Sequence, residues 1–251
     1  VPAPMSIYKG ISKLLPGCWL SISSAGAEQQ GSYWGPQTFA RQQKGADSLS
    51  DDVAVSRLED VLGVAVKSQL MSDVPLGAFL SGGVDSSTVV ALMCKYSSRT
   101  VRTFSIGFHE EEFNEAEHAG AVARHLGTEH TALYVTAAEA LAVVPQLPDI
   151  YDEPFADSSQ IPTFLVARLA RRDVTVALSG DGGDELFAGY NRYRLARGLW
   201  RGLNSIPLGL RRSAGNTILR VAPETIDRTC GPLIRLLPNR FRYGDVGDKV
   251  H

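Results

Sequence analysis

The sequence predicts an α/β fold built on a doubly wound parallel sheet. Short apolar runs alternate with amphipathic helical segments between residues 50 and 193, which is typical of parallel strands joined by helical crossovers. Glycine-rich turns directly follow two of the apolar runs, in "FLSGGVDSS" and "ALSGDGGDE". Ligands of open parallel sheets bind beyond the carboxyl ends of the strands, so these turns are the first places to search for a site.

The first half of the predicted domain contains two helices and two strands. A helix is predicted over residues 51–71, with Ser50 at its start. Its apolar residues share one helical face and are Val55, Leu58, Val61, Leu62 and Ala65. A buried strand at 76–80 and a helix at 86–96 come next, and alternating apolar residues predict the following strand at 101–108.

Helix-capping residues define the next two helices. The segment "NEAEHAGAVARHLG" is predicted to begin a helix at Asn114, with Glu117 in the capping-box position and Gly127 at the end. A strand is predicted at 130–135. Thr136 then opens another helix with a second capping box.

The remaining elements are a loop, a helix, a strand and a helical end. Residues 151–162, "YDEPFADSSQIP", are predicted to form a long polar loop, 163–172 a helix and 174–179 a strand. Beyond Tyr193, amphipathic segments predict a helical C-terminal part. Prolines are expected to break it at Pro207, Pro223, Pro232 and Pro238.

The N-terminal 35 residues differ in composition from the rest of the chain. Glycine, proline and serine surround short alternating stretches such as "CWLSIS", which predicts small strands and turns. The stretch "GPQTFARQQKGADS", residues 35–48, is polar and contains glycine, as in a linker. We therefore predict a boundary near Ala46 that divides the chain into residues 1–46 and 47–251.

Composition and charge exclude several classes of protein. Of the 251 residues 44% are hydrophobic, which is enough for a sizeable core. Lys and Arg total 25 against 27 Asp and Glu, so the net charge of the chain does not indicate a nucleic-acid or membrane partner. Eleven arginines lie between Arg192 and Arg242, but no aromatic interleaving or groove-reading motif accompanies them. The three cysteines are too far apart to form a zinc or disulfide framework.

The ends of the sequence and its apolar runs give two further expectations. No apolar run approaches the roughly 18 residues that a membrane span needs, and we expect a cytoplasmic protein. The chain begins without methionine and stops at "GDVGDKVH" without a helix cap, so we expect a fragment of a longer protein.

The first glycine-rich loop, Ser81–Ser87, has the composition of a phosphate cradle. Its two glycines let backbone amides approach an anion, and the helix after the loop offers unpaired amides at its positive end. The loop contains no lysine and no GxxxxGK[ST] pattern, so it is not of the Walker type. Asp85 would repel phosphate unless a hard cation lay between them, which indicates a Mg²⁺ ligand.

The second loop concentrates negative charge. Asp181, Asp184 and Glu185 lie at one strand-to-helix turn, separated by two glycines. Three neighbouring carboxylates are unfavourable unless cations or hydrogen-bond donors compensate. A solvated acidic turn that caps a helix is the alternative, but two glycine-rich turns after two strands of one sheet can face a shared crevice and favour a bound nucleotide.

The motifs resemble those of a known family. SGGVDSS resembles the SGGxDS fingerprint of the PP-loop ATP pyrophosphatases, which split ATP between its α and β phosphates. "FLSGGVDSS", "YDEPFADSS" and "LSGDGGDELFAGYNRY" are similar, in order and spacing, to blocks of the glutamine-hydrolysing asparagine synthetase family, and the likeness covers essentially the whole chain. The resemblance implies the PP-loop (adenine nucleotide alpha hydrolase-like) topology. Residues 1–46 would be the tail of an N-terminal glutaminase domain of Ntn-hydrolase type and a linker, and 47–251 a C-terminally truncated ATP-binding synthetase domain.

The resemblance also implies a reaction. A small-molecule carboxylate, aspartate in the family, attacks the α phosphorus of ATP, which gives β-aspartyl-AMP and pyrophosphate, and ammonia then displaces AMP to leave an amide. The ammonia comes from glutamine in the glutaminase domain. ATP as substrate, Mg²⁺ as cofactor and that domain as partner follow from the resemblance. Neither nucleic acid nor a membrane is an expected partner, and a homodimer is left open.

Site residues carried over from the resemblance fall into three groups. The AMP part of ATP is expected at Leu80, Ser81, Ile106, Ser179 and Gly180. Pyrophosphate is expected at Ser81, Gly82, Gly83, Asp85, Ser86 and Ser87. Mg²⁺ is expected at Asp85 and Asp184, and Asp181 occupies the position of the family's catalytic glutamate.

Two departures from the family pattern keep other functions open. Asp181 is shorter than the glutamate of the family, and Asp157 stands where we expect an arginine that holds aspartate. A related amidotransferase or lactam synthetase that acts on a sugar acid, a peptide or an antibiotic precursor is therefore an alternative. A non-catalytic nucleotide-binding module is another.

Overall fold

The computed structural model describes residues 1–36, 49–109, 114–154, 156–157 and 159–218. The chain divides into two compact units, Val1–Gly182 and Gly183–His251. Most of the predicted linker and the last three predicted proline breaks lie outside the described residues.

The first unit begins with an antiparallel hairpin of β1 (Cys18–Ile22) and β2 (Glu28–Ser32). It confirms the small strands predicted from "CWLSIS". The register pairs Cys18 with Ser32 at one end and Ile22 with Glu28 at the other.

The sheet of the first unit has four parallel strands in the order β5-β4-β3-β6. The strands are β3 (Leu76–Phe79), β4 (Arg102–Phe108), β5 (Glu129–Val135) and β6 (Val176–Leu178). The chain runs outward from β3 to β5 and then returns to place β6 on the other side of β3. This confirms the predicted doubly wound α/β fold, whose topological switch point lies between β3 and β6.

Helices connect the strands and cover both faces of the sheet. They are α1 (Asp51–Gln69), α2 (Val84–Tyr96), α3 (Ala116–Leu126), α4 (Ala137–Leu141), α5 (Leu147–Ile150) and α6 (Gln160–Ala170). On one face, Ala78 and Leu80 share a core with Val90 of α2 and Ala119 of α3. The other face is covered by α6, whose apolar residues form two further clusters with the strands.

The packing of α6 shows its direction along the sheet. Leu165, in its middle, lies in a cluster with Phe108 and Val135, the last residues of β4 and β5. Leu169, near its end, packs instead with Phe104, earlier in β4. The helix therefore runs antiparallel to the strands, and its N-terminus lies at their carboxyl ends.

The buried face of α1 differs from the predicted one. Val55 is 63% exposed and Val61 67% exposed, whereas Val66 is buried. Of the five predicted positions only Leu62 is partly buried against the core. Residue size explains the difference, because Gly63 gives Tyr96 of α2 room to approach, and a Cβ at Gly63 would lie 2.5 Å from the Tyr96 hydroxyl.

Two helix starts also differ from the prediction. The box predicted at Asn114 and Glu117 does not form, because Glu115 occupies the N-cap position and Asn114 Oδ1 accepts a hydrogen bond from the Ala116 amide at 3.3 Å. The predicted loop 151–162 ends early, since α6 already begins at Gln160. Proline in a first helical turn lacks only an amide that would have no helical partner, so Pro162 does not delay the start.

Other caps are as predicted. Gly127 ends α3 in the left-handed region with φ of 68°. Thr136 and Glu139 form the second box, in which the Thr136 amide donates to Glu139 at 2.8 Å and the Glu139 amide donates to the Thr136 hydroxyl at 3.2 Å. The Glu139 carboxylate accepts hydrogen bonds from the Thr136 amide and from the Thr136 hydroxyl, and these bonds favour its ionised form and lower the pKa of Glu139.

The second unit is helical over its described residues, which confirms that part of the prediction. It contains α7 (Gly183–Phe187), α8 (Asn191–Asn204) and α9 (Leu208–Ile218), with the predicted break at Pro207 between the last two. Across the described parts of both units, no helix has the length and apolar character needed to cross a membrane.

Candidate functional site

The loop after β3 is held by two serine hydroxyls. Ser81 Oγ and Ser86 Oγ lie 2.9 Å apart, and Ser86 Oγ accepts a hydrogen bond from the Ser81 amide at 3.2 Å. The Gly83 amide donates to Ser81 Oγ at 3.2 Å. These bonds tie the loop to the first turn of α2, so its shape is set before any ligand arrives.

The N-terminus of α2 is open to a ligand. Gly83 is the N-cap residue and supplies no side-chain cap, and the first helical bond runs from the Ser87 amide to the Gly83 carbonyl at 3.1 Å. The amides of Val84, Asp85 and Ser86 precede that bond and have no helical acceptor. Free amides together with the positive end of the helix dipole attract an anion.

Gly82 can only be glycine in this arrangement. Its φ is +83°, and a Cβ there would lie 2.7 Å from the backbone of His118 and Ala119 on α3. Both the backbone conformation and the space exclude a side chain. The loop after β3 therefore packs closely against α3 and is also hydrogen-bonded to α2.

The loop after β6 meets the same turn of α2. A Cβ on Gly180 would lie 2.7 Å from the Ser86 amide nitrogen and 3.0 Å from the Asp85 carbonyl carbon. β3 and β6 are paired neighbours, with Ala78 opposite Leu178, so the loops that come after them leave the sheet side by side. The structure thus places the two predicted glycine-rich loops in one crevice at the switch point.

Asp181, the predicted catalytic residue, is exposed beside this crevice. Its carboxylate accepts a hydrogen bond from the Ser179 hydroxyl at 3.0 Å. The bond fixes the short side chain toward its own loop. The next residue, Gly182, has φ of +89°, and a Cβ there would have no atom within 4 Å, so backbone conformation alone requires glycine.

Three predicted ligand residues are less accessible than the others. The Leu80 side chain is 1% exposed and lies in the core, while its amide donates to the Phe104 carbonyl at 2.9 Å. Ile106 is partly buried among the residues that face α6. Ser87 Oγ is buried and has no hydrogen-bond partner among the described residues. Their contacts with ATP stay predictions.

The acidic residues are divided between the two units. Asp85, half-buried on α2, and Asp181 belong to the first unit, whereas Asp184 and Glu185 belong to the second. Glu185 accepts a hydrogen bond from the Tyr190 hydroxyl at 2.9 Å, which raises the pKa of Tyr190. Within the described ranges, no three His, Cys, Asp or Glu residues are grouped to hold a metal ion.

Asp157 has a local structural role at the start of α6. Its carboxylate accepts hydrogen bonds from the Ser159 amide at 2.9 Å and from the Ser159 hydroxyl at 2.7 Å, and these bonds lower the pKa of Asp157. In the sequence, Asp157 stood out only as a replacement for a substrate-binding arginine. A serine two residues after an aspartate, as in an Asx turn, is the sequence signal that indicates this structural role.

Two histidines and a cysteine lie on the helices next to the loop after β3. His118 and His125 are both exposed on α3. Cys94, on α2, lies partly buried against the core, and burial raises the pKa of its thiol. One contact was not predicted at all: Lys13 pairs with Glu153, although they are far apart in sequence and no local pattern joins them.

The fold and the paired loops define a doubly wound α/β domain in which two glycine-rich loops meet at the switch point. Comparison with known proteins identifies the family. The model of the family described as asparagine synthase matches residues 57–241, and the chain belongs to that family.

Individual relatives cover most of this chain. Asparagine synthetase [glutamine-hydrolyzing] 1 of Bacillus subtilis is 34% identical over 239 residues, 93% of this chain and 36% of the relative. Asparagine synthetase B [glutamine-hydrolyzing] of Escherichia coli is 35% identical over 163 residues, 57% of this chain and 29% of the relative. A Mycobacterium tuberculosis relative is 37% identical over 227 residues, 89% of this chain and 34% of its own length. The chain spans about a third of the length of these relatives.

A solved structure, the NH3-dependent NAD synthetase of Campylobacter jejuni, is 15% identical with a TM-score of 0.39. The match covers 74% of this chain and 90% of that one.

Proposed function

We propose that this chain is the ATP-binding part of an amide-forming ligase that makes asparagine from aspartate. ATP and the acid would give β-aspartyl-AMP and pyrophosphate, and ammonia derived from glutamine would then replace AMP. The family assignment supports the reaction class, and similarity to glutamine-hydrolysing relatives supports glutamine as the nitrogen source. A glutaminase domain in the longer protein, a homodimer and a cytoplasmic location are further parts of this proposal.

One observation carries the proposal: the two glycine-rich loops meet at the first turn of α2. Gly180 lies against the backbone of Asp85 and Ser86, so a molecule that binds one loop also contacts the other. A nucleoside triphosphate has the matching shape, because its phosphates can bind the loop after β3 while its nucleoside lies in the adjoining crevice. This division agrees with the expected positions of pyrophosphate and AMP.

The loop residues would act mainly by positioning and by stabilising negative charge. The amides of Val84, Asp85 and Ser86 lie at the anion-binding end of α2, where the pyrophosphate leaving group would develop charge. Oriented donors that need no reorganisation lower the barrier most when water is excluded. Ser81 and Ser86 hold this geometry through their shared hydrogen bond.

Mg²⁺ is proposed as the cation, held by Asp85 and Asp184. Mg²⁺ is commonly bound by one or two carboxylates together with substrate phosphates, so two aspartates are enough for this mode of binding. When bound, the ion would neutralise phosphate charge, which the lysine-free loop cannot do. Asp85 fits the role because it is partly exposed on the first turn of α2.

Aspartate is favoured over other acids as the substrate. Asp157 replaces the arginine expected from the family pattern, and the Asx turn before α6 explains this replacement. The replacement therefore does not require a substrate other than aspartate. Asp181 keeps the negative charge of the family's catalytic glutamate next to the crevice. We propose that Asp181 supports adenylate formation and the ammonia step.

Acid-dependent pyrophosphate release tests the proposal. The full-length protein would be supplied with ATP, Mg²⁺, ammonia and a panel of carboxylic acids. We expect release with aspartate and asparagine as the product. Pyrophosphate release with only a different acid would show that this acid, and not aspartate, is the substrate. ATP binding without any pyrophosphate release would support a non-catalytic module.

Asp85→Asn tests the proposed metal ligand. The change keeps the shape of the side chain but removes its charge, so turnover should fall by about 100-fold or more at low Mg²⁺. Asp73→Asn is a matched control, because Asp73 is an exposed residue before β3. Equal rates for Asp85→Asn and wild type across a Mg²⁺ titration would refute the assignment.

A further inference from the structure

The N-terminal segment, residues 1–36, contacts the loop that precedes α6. Lys13 Nζ forms an ion pair with Glu153 Oε1. The Tyr8 hydroxyl donates a hydrogen bond to the Asp152 carbonyl at 3.2 Å. Two polar contacts to consecutive residues fix both the position and the direction of the backbone in the segment Tyr151–Pro154.

The ion pair is more buried than a typical surface pair. The Glu153 side chain is 19% exposed and that of Lys13 is 37% exposed. The second oxygen of the Glu153 carboxylate is buried, has no hydrogen-bond partner among the described residues and lies 3.9 Å from the Val1 ammonium. A carboxylate in this position depends on a nearby cation, because an unpaired buried charge is strongly unfavourable.

Segment Tyr151–Pro154 lies at the edge of the sheet where the glycine-rich loops lie. It precedes α6, whose first half packs against Phe108 and Val135 at the carboxyl ends of β4 and β5. Glu153 belongs to the motif "YDEPFADSS", and Asp157 of the same motif starts α6. The N-terminal segment therefore contacts a motif that lies toward the carboxyl-end edge of the sheet, on the side of β4 and β5.

We propose that the Lys13–Glu153 pair positions segment Tyr151–Pro154 for binding of the carboxylate substrate. Lys13 and Glu153 are positioning residues, since they act through the backbone that they fix. The inference rests on the proposed function, and it adds that a residue of the N-terminal segment controls how the acid binds. ATP binding, which uses the loops after β3 and β6, should not depend on the pair.

Charge reversal and charge exchange in the full-length protein test this proposal. Lys13→Glu should raise the KM for the carboxylate about fivefold or more and leave the KM for ATP unchanged. Glu153→Gln, which keeps the side-chain shape, should raise the same KM. Lys13→Arg should preserve it, and the double variant with Lys13→Glu and Glu153→Lys should return it to within about twofold of wild type.

Lys9→Glu is the matched control. It makes the same charge change in the same segment, and Lys9 is exposed with no ion pair in the described part of the chain. Melting temperatures, measured for all variants, separate a fold defect from a substrate effect.

Two outcomes overturn the inference, and they are distinguishable. If wild type releases pyrophosphate with the acid but Lys13→Glu and Glu153→Gln leave the carboxylate KM unchanged, or raise the KM for ATP equally, only the inference fails. If wild type shows no acid-dependent release, the proposed function fails and the inference fails with it.

Discussion

The two glycine-rich loops are held in different ways. Hydroxyl groups of Ser81 and Ser86 fasten the loop after β3 to the first turn of α2. In the loop after β6, the Ser179 hydroxyl donates to the Asp181 carboxylate and accepts from the Asp181 amide, and the place of the loop depends on Gly180 fitting against that same turn. The first loop is thus preorganised by its own residues, whereas the second takes its position from the first.

Gly180→Ala should have the largest effect, because it separates the two loops. The new methyl group would lie 2.7 Å from the Ser86 amide nitrogen, and backbone atoms cannot turn aside as a flexible side chain can. A displacement of about 1 Å at a reacting group costs on the order of 100-fold in rate. We expect kcat/KM for acid-dependent pyrophosphate release to fall by that factor.

Gly182→Ala is the control for the Gly180 variant. No atom lies within 4 Å of the added methyl group, so only the φ of +89° opposes the substitution. The rate should fall less than about tenfold, in keeping with a backbone penalty of about 1 kcal/mol. Equal losses for the two variants would show that contact with α2 does not place the second loop.

Gly82→Ala tests how firmly the first loop is pressed against α3. Its φ of +83° and the 2.7 Å approach to the Ala119 amide both oppose a methyl group, so the free energy of unfolding should fall by about 2 kcal/mol. Gly127→Ala has φ of +68° but open space, and should cost about 1 kcal/mol. Urea denaturation of both variants checks this, and a smaller cost at Gly82 would contradict it.

A serine pair tests the hydroxyl network of the first loop. Ser86→Ala removes the bonds to Ser81 and should lower the free energy of unfolding by about 1 kcal/mol. Ser87→Ala removes a buried hydroxyl that has no partner among the described residues, so it should change stability by less than about 0.5 kcal/mol. The same denaturation measurement applies, and the reverse ranking would contradict the proposed network.

The smallest effect concerns pH and a second hydroxyl network, between β4 and β5. His130 bonds to Thr103 Oγ1 at 2.9 Å and to Ser105 Oγ at 3.2 Å. Burial and then Arg124 lower the pKa of His130 below its ordinary value of 6.5. The unfolded chain therefore takes up a proton more readily, and stability should fall as pH drops through 6.5 toward the folded pKa.

His130→Asn should remove this part of the pH dependence. Denaturation at several values between about pH 5 and 8 would show it, with His125→Asn as an exposed control on α3. A wild-type stability that rises as pH falls through this range would contradict the sign of the effect.

The sheet was largely predictable because its signals are local. The apolar runs of β3 and β4 and the glycine-rich turn after β3 mark strands and a loop through composition and spacing alone. Gly127 and the capping box at Thr136 are equally local, since each depends on residues within one helical turn. The fold class and the two loops follow from such signals.

The features that could not be predicted depend on distant parts of the chain. The buried face of α1 is decided by Tyr96 approaching Gly63, so periodicity within α1 indicated the wrong face. The Lys13–Glu153 pair joins two elements with no shared pattern, and the burial of Leu80 and Ser87 depends on neighbouring helices. These features appear only when the elements pack.

The position of β6 has a consequence for how the site is completed during folding. β6 is the last strand of the sheet in chain order, and it pairs with β3, the first. A nascent chain that ends before β6 contains the whole loop after β3 but lacks the loop after β6 that meets it. Under the proposed function ATP binds only the complete sheet, so by mass action it would stabilise the pairing of β6 with β3.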